Sequence, residues 1–246
     1  MRTVLILGGT TEARALASTL TEQGIWRVVS SLAGRVSSPA LPAGEVRIGG
    51  FGGPEALSDW LRTEGIAAVV DATHPFAARI SASVAQAAPA AGVPLLMLRR
   101  PGWTAGPQDH WQRVPDMPAA ATAVAAGSEG PVLLTTGRGG LGVFAQLPHR
   151  FVIRTVDPPE PPLPADRVLV LARGPYTLDG ERDLMRTHGV RTLVTKDSGG
   201  SMTAAKLDAA RELGVAVVMV DRPAAPQGVD TVTDPAAVPP WLGSLS

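Results

Sequence analysis

Short runs that are apolar almost throughout, and rich in β-branched residues, alternate along this chain with Ala-rich stretches whose apolar residues recur three and four positions apart. In the first half the runs are residues 3–7, 26–30, 45–48, 67–71 and 94–98, and the helical stretches are 11–23, 53–63 and 76–91. A strand that is apolar on both sides must be covered on both faces, so the pattern predicts an α/β fold with mostly parallel sheets wound on both sides. The rhythm breaks at residues 100–109, where Pro101, Gly102, Gly106 and Pro107 supply turn chemistry, and resumes at 132–136, 151–156, 168–172, 192–195 and 215–220. With 246 residues, and roughly 150 per domain as a prior, two domains are expected, 1–100 and 101–246. The prolines at 158, 159, 161, 162 and 164 predict a rigid surface connection, and the tail after Asp234 a loosely held loop.

Composition removes several classes. Lys+Arg and Asp+Glu are both 22, so the chain lacks the basic excess of a general nucleic-acid or membrane-surface binder. No apolar run approaches the roughly 18 to 20 residues that span a bilayer. Gly8, Gly9, Glu12 and Arg14 break the first apolar run too early for a secretory leader, so a soluble cytoplasmic protein is expected. Cys 0 excludes thiolate chemistry, and His74, His110, His149 and His188 lack metal-ligand spacing, so no metal is expected. There is no G-x-S-x-G elbow, no G-K-[ST] loop, and Gly180 stands where a Tyr-x-x-x-Lys dyad on Tyr176 would need lysine. All basic residues but Lys196 and Lys206 are arginine. A GC-rich genome explains that bias; so does selection for bidentate capture of carboxylate or phosphate.

The segment Leu5-Ile-Leu-Gly-Gly-Thr-Thr-Glu-Ala-Arg14 ends a strand in glycines and opens a helix, the arrangement that presents backbone N–H groups to a pyrophosphate. Against G-x-G-x-x-G, Thr10 and Ala13 occupy the second and third glycine positions; a ligand-free glycine turn is the competing interpretation. Gly8, Gly9, Thr10, Thr11 and Glu12 are the candidate cofactor contacts, with Asp71, Ala72 and Thr73 at a later strand end. The second strand ends in Val29-Ser-Ser-Leu-Ala-Gly-Arg35 with no carboxylate for ribose hydroxyls. Ser31 and Arg35 suit a ribose 2′-phosphate, hence NADPH, although Arg35 as a solvated loop residue is also open.

In open α/β sheets ligands bind beyond the carboxyl ends of the strands. Thr73, His74, Phe76 and Arg79 follow one such end, Arg99 another, and Arg138, Arg173 with Tyr176, Lys196-Asp-Ser-Gly199 and Arg222 follow others. Each has a plain structural alternative: His74 as a helix cap, Asp71 in an Asx turn, Tyr176 as a packed ring. Together, that many cations gathered in one cleft imply a polyanionic ligand.

The strings Leu7-Gly-Gly-Thr-Thr-Glu-Ala-Arg14, Asp71-Ala-Thr-His-Pro-Phe-Ala77 and Thr195-Lys-Asp-Ser-Gly-Gly200, with Arg173-Gly-Pro-Tyr176 and Asp221-Arg-Pro223, resemble the precorrin-6A reductase family of cobalamin biosynthesis. The resemblance covers nearly the whole chain. It implies two Rossmann-like domains with the active site in the cleft between them. It also implies NADPH-dependent reduction of one carbon–carbon double bond in a ring-contracted tetrapyrrole bearing many carboxylates. Phe76 and Trp103 would then pack on the macrocycle. Lys196 is the first choice for protonation or electrostatic assistance, His74 the second and a bound water the third, with Lys196 as a binder of a propionate only the alternative. A nucleotide-sugar transferase or a non-catalytic sensor of an anionic ligand would share the fold, but neither accounts for the strings around His74 and Lys196. Monomeric and homo-oligomeric states are both compatible with the sequence.

Overall fold

The computed structural model describes residues 1–34, 41–127 and 129–245. The chain divides into two compact units, Met1–Pro101 with Pro223–Ser246, and Gly102–Arg222.

The first unit runs β1 (Arg2–Leu7), α1 (Thr11–Gln23), β2 (Trp26–Leu32), β3 (Glu45–Ile48), α2 (Pro54–Thr63), β4 (Ile66–Asp71), α3 (Ala78–Ala91) and β5 (Leu95–Leu98). The second holds β6 (Trp111–Val114), α4 (Met117–Ala126), β7 (Val132–Leu134), β8 (Phe151–Thr155), β9 (Arg167–Leu171), α5 (Leu178–Thr187), β10 (Thr192–Lys196), α6 (Ala205–Leu213) and β11 (Ala216–Val220). The chain ends with β12 (Asp230–Val232) and α7 (Val238–Ser244) in the first unit.

The first sheet has the order β12-β5-β4-β1-β2-β3 and the second β6-β11-β10-β7-β8-β9, every pairing parallel. Numbered within its unit, the first follows the doubly wound order 3-2-1-4-5-6, and in the second β7 to β11 repeat its 3-2-1-4-5 part. The sixth place is filled differently. In the first sheet β12, from the end of the chain, takes it; in the second it falls to β6, which precedes the other strands.

The wholly apolar runs have the cause expected for parallel sheets. Along β1, Val4 and Ile6 point into a cluster with Leu16, Leu20 and Leu242 on one face. Leu5 and Leu7, at the alternate positions, pack with Leu57, Leu61 and Val84 on the other. Helix α1 starts where Thr10, in extended backbone, caps it, and ends at Gly24 in the left-handed region at φ 66°.

Two features depart from the expected outline. The tail is no loose loop: Asp230, Thr231 and Val232 pair with Leu96, Met97 and Leu98, and Val238 and Leu242 are fully buried. Residues from Pro223 onward therefore group with the first unit, where a single cut near residue 100 had put them with the second. The helix expected over 76–91 also starts later. A turn intervenes in which the Ala77 N–H donates to His74 O at 2.7 Å, and the helix begins at Ala78.

Candidate active site

The crevice of a 3-2-1-4-5-6 sheet lies where the winding reverses, between the carboxyl ends of β1 and β4. The Gly8 N–H donates to Ser31 O at 3.0 Å, and a Cβ on Gly8 would meet Leu32 Cδ2 at 3.4 Å. Gly9 is exposed at φ +112°, a conformation that disfavours any side chain, with nothing within 4 Å of where a Cβ would stand. Backbone open to solvent at the start of a 13-residue helix suits a pyrophosphate.

The side chain of Thr10 is turned inward. Its hydroxyl accepts from the Ala13 N–H at 3.1 Å and donates to Ala72 O at 2.8 Å, and the residue is buried. Thr10 thus ties the β1 turn to the β4 turn across the crevice floor. Thr11 is exposed at the helix start and takes a hydrogen bond from Arg14 Nη2. Glu12 pairs with Arg100 Nη1 at 2.7 Å, fastening α1 to the residues after β5. Ser31 is buried near the end of β2, and Arg35 lies outside the described residues.

Asp71 and Ala72 are both buried at the end of β4. Asp71 Oδ1 accepts from the Thr73 N–H at 3.1 Å and the Thr73 hydroxyl at 2.7 Å, an Asx-type turn, while Oδ2 is buried with no partner among the described residues. Beyond it His74 is exposed. Its Nδ1 accepts from the Phe76 N–H at 3.2 Å, which leaves Nε2 to carry the ring proton in the neutral form. The His74 and Phe76 rings lie 5.8 Å apart, and Arg79 is exposed on the first turn of α3. A cavity of about 200 Å³ sits behind this turn, lined among others by Asp71, Thr73, His74, Met97, Arg99 and Pro223. Arg99 Nη2 donates to Pro223 O, anchoring one wall.

In the second unit, Lys196 ends β10 and is half-buried. Asp197 turns inward: Oδ1 accepts from the Trp103 N–H at 2.9 Å, and Oδ2 from Arg113 Nη2 at 2.9 Å. Arg222 reaches the same residue, Nε to Asp197 O at 3.1 Å and Nη2 to Oδ1 at 3.4 Å. A Cβ on Gly102 would stand 2.8 Å from Asp197 Oδ2, so glycine is required there for the close approach. The carboxylate is spent on its own scaffold, holding the turn that carries Ser198 and Gly199, both buried, with Gly199 at φ +64°. Trp103 Nε1 closes the turn on Gly200 O at 3.1 Å. Arg138 and Arg173, after β7 and β9, are exposed.

Tyr176 follows the plain structural alternative. Its hydroxyl donates to Ala172 O at 2.9 Å, the Arg154 guanidinium lies 3.8 Å from its ring centroid, and burial raises its pKa. Behind it is a cluster that sequence reasoning missed. Arg154 pairs with Glu181 at 2.8 Å, both buried, and the buried Lys206 points its Nζ at the Trp103 ring, 5.1 Å from the centroid. Burial first, and the Arg154 charge second, push the Lys206 pKa from 10.5 to about 7, against the pull of Glu181. One signal was available: Lys206 occupies the stripe of α6 that otherwise carries Ala209, Ala210 and Leu213. Arg100 and Arg113 also went unselected, since nothing local marks an arginine whose partner is far along the chain.

Two parallel sheets that share the order 3-2-1-4-5 over five strands, the first with an open glycine turn at its switch point, define a Rossmann-type α/β protein. The family described as Precorrin-6x reductase CbiJ/CobK matches residues 3–242. The chain belongs to this family of reductases. A precorrin-6A reductase of Rhodococcus erythropolis is 48% identical over 248 residues, covering 100% of this chain and 99% of the relative. Its namesake in Mycobacterium tuberculosis is 50% identical with the same coverage, and a cobalt-precorrin-6A reductase of Priestia megaterium is 34% identical over 89% of this chain and 90% of its own. A solved structure of CobK precorrin-6A reductase superposes with TM-score 0.92 at 44% identity, covering 100% of this chain and 98% of that one.

Proposed function

We propose that the protein reduces one carbon–carbon double bond of precorrin-6A to give precorrin-6B, with NADPH as the electron donor. The observation that carries this reading is the crevice between β1 and β4, where the open Gly8-Gly9 turn and the His74-Pro75-Phe76 turn are tied by the Thr10–Ala72 hydrogen bond. The full-length likeness to named precorrin-6A reductases supports the substrate. The cobalt-free substrate is favoured because the relatives named for the cobalt form are the more distant, at 34% and 30% identity.

The residues present fit a dinucleotide. Gly8, Gly9 and the first N–H groups of α1 would hold the pyrophosphate, with Thr11 and Glu12 bordering it; Ser31 would face the 2′-phosphate, for which Arg35 is a further candidate from the sequence alone. When bound, NADPH supplies a hydride. The Asp71–Thr73 turn would orient its reactive end beside the cavity of about 200 Å³ behind His74. Arg79, Arg99, Arg138 and Arg173 bind substrate carboxylates, and Phe76 packs on the macrocycle. Lys196 places a proton on the carbon next to the one that receives the hydride, so that H⁻ and H⁺ together saturate the double bond; His74 Nε2–H is the second candidate. Asp197, Arg222 and Tyr176 act by holding the turns around Lys196 and Arg173.

The test is the loss of NADPH absorbance with precorrin-6A present, NADH run alongside. Substrate-dependent oxidation with a marked NADPH preference is expected. No oxidation with either nucleotide would overturn the reading, and equal rates would overturn its choice of cofactor.

A further inference from the structure

Arg47 lies on β3 directly opposite Ser31 of β2 in the parallel register. That is the strand end which, in a sheet of this order, meets the adenosine ribose of a bound dinucleotide. The guanidinium is held by the protein in a fixed plane. It stacks 3.8 Å from the Phe51 ring centroid and 5.5 Å from that of Trp60, and those rings meet edge-on at 5.2 Å. Nη1 donates to Gly49 O and Nη2 to Gly50 O, both at 2.7 Å, with Ser31 Oγ at 3.5 Å from Nη1.

All of these partners are neutral. Among the described residues Arg47 has no carboxylate partner, and burial lowers its pKa with no acidic group to oppose it. Arg27, one strand away, shows the ordinary alternative: its Nε and Nη2 grip both oxygens of Glu45 at 2.7 Å. On Arg47, Nε and one proton of Nη2 carry no partner among the described residues. A guanidinium immobilised by aromatic stacking, short of a counter-ion and with its side-on fork open, is built for a tetrahedral oxyanion.

We infer that Arg47 reads the 2′-phosphate of the cofactor's adenosine end, so that β3 sets the preference for a phosphorylated dinucleotide. The inference rests on the NADPH reading above, and it gives the phosphate a partner within the described residues in addition to Ser31.

The experiment uses the full chain without cofactor and titrates adenosine 2′,5′-bisphosphate and 5′-AMP calorimetrically into wild type, Arg47→Gln and Arg47→Lys. Wild type binds the bisphosphate more tightly. Arg47→Gln loses at least about tenfold of that affinity while 5′-AMP binding is unchanged. Arg47→Lys, which keeps the charge without the fork, falls between the two. A Gln variant with the wild-type ratio overturns the role of Arg47 and leaves the NADPH reading standing. Wild type with no preference for the bisphosphate overturns both. An equal loss of both ligands shows a merely structural residue and overturns the inference as well. If Arg47→Gln fails to fold, Arg47→Lys decides: a ratio several-fold below wild type sustains the inference, and an unchanged ratio overturns it.

Discussion

Thr10 spends one hydroxyl twice, as the cap of α1 and as the donor to Ala72 O. Thr10→Val keeps the shape and removes both bonds, so stability falls by about 1–3 kcal/mol in a denaturant titration, while Thr10→Ser stays near wild type. Lys196 is tested through the split of kinetic constants. If it delivers the proton, Lys196→Arg keeps KM within a few-fold and lowers kcat by roughly 10²–10⁴, because a guanidinium binds carboxylate but does not give up its proton. An arginine variant with full turnover would leave Lys196 a carboxylate binder only. Legibility at this scale followed locality. Asp71 with Thr73 and Tyr176 with Ala172 are separated by 2 and 4 residues, and the plain sequence alternatives for both proved apt. Asp197 takes its partners from residues 94 and 84 positions away, and no local pattern announces such pairs.

Strands and helices were legible where burial forces a run of one kind. The stretch 11–23 coincides with α1 because a capping threonine and a terminal glycine frame a helical stripe, and 151–156 covers β8, which is buried at every position. Two short edge strands, β6 and β12, were not. β6 reads Trp-Gln-Arg-Val and β12 reads Asp-Thr-Val; each pairs on one side only and needs no continuous apolar run. The last helix was lost for a related reason, since Pro239 and Pro240 argue against helix unless they sit in its first turn, where they do sit. Its role is plain from burial: Leu242 is 0% exposed in the cluster built on β1 and α1. Leu242→Ala is expected to cost about 2–5 kcal/mol, as a core leucine does, although only four residues follow it in the sequence shown. A thermal melt indistinguishable from wild type would show that α7 contributes nothing to that core.

At the scale of the whole molecule, formal charge balances to +0, yet the balance conceals one buried group out of register with its surroundings. Lys206 shares its interior with an already neutral pair, Arg154 and Glu181, so among the described residues its own charge has no dedicated counter-ion. Its pKa of about 7 in the folded chain lies below the 10.5 of the unfolded one, so between those values the unfolded chain binds the extra proton. Stability therefore rises with pH across that window, and below it both states are protonated and the folded chain bears the full cost of a buried ammonium. Lys206→Met fills the same space beside Trp103 without the charge. The variant should be more stable than wild type by a few kcal/mol at pH 6, with the advantage shrinking above pH 7 and gone near pH 10. Denaturant titrations of both proteins across that range measure it directly. A difference that stays constant with pH would mean that Lys206 is equally protonated in the folded and unfolded chains, and the cause would then be packing rather than charge.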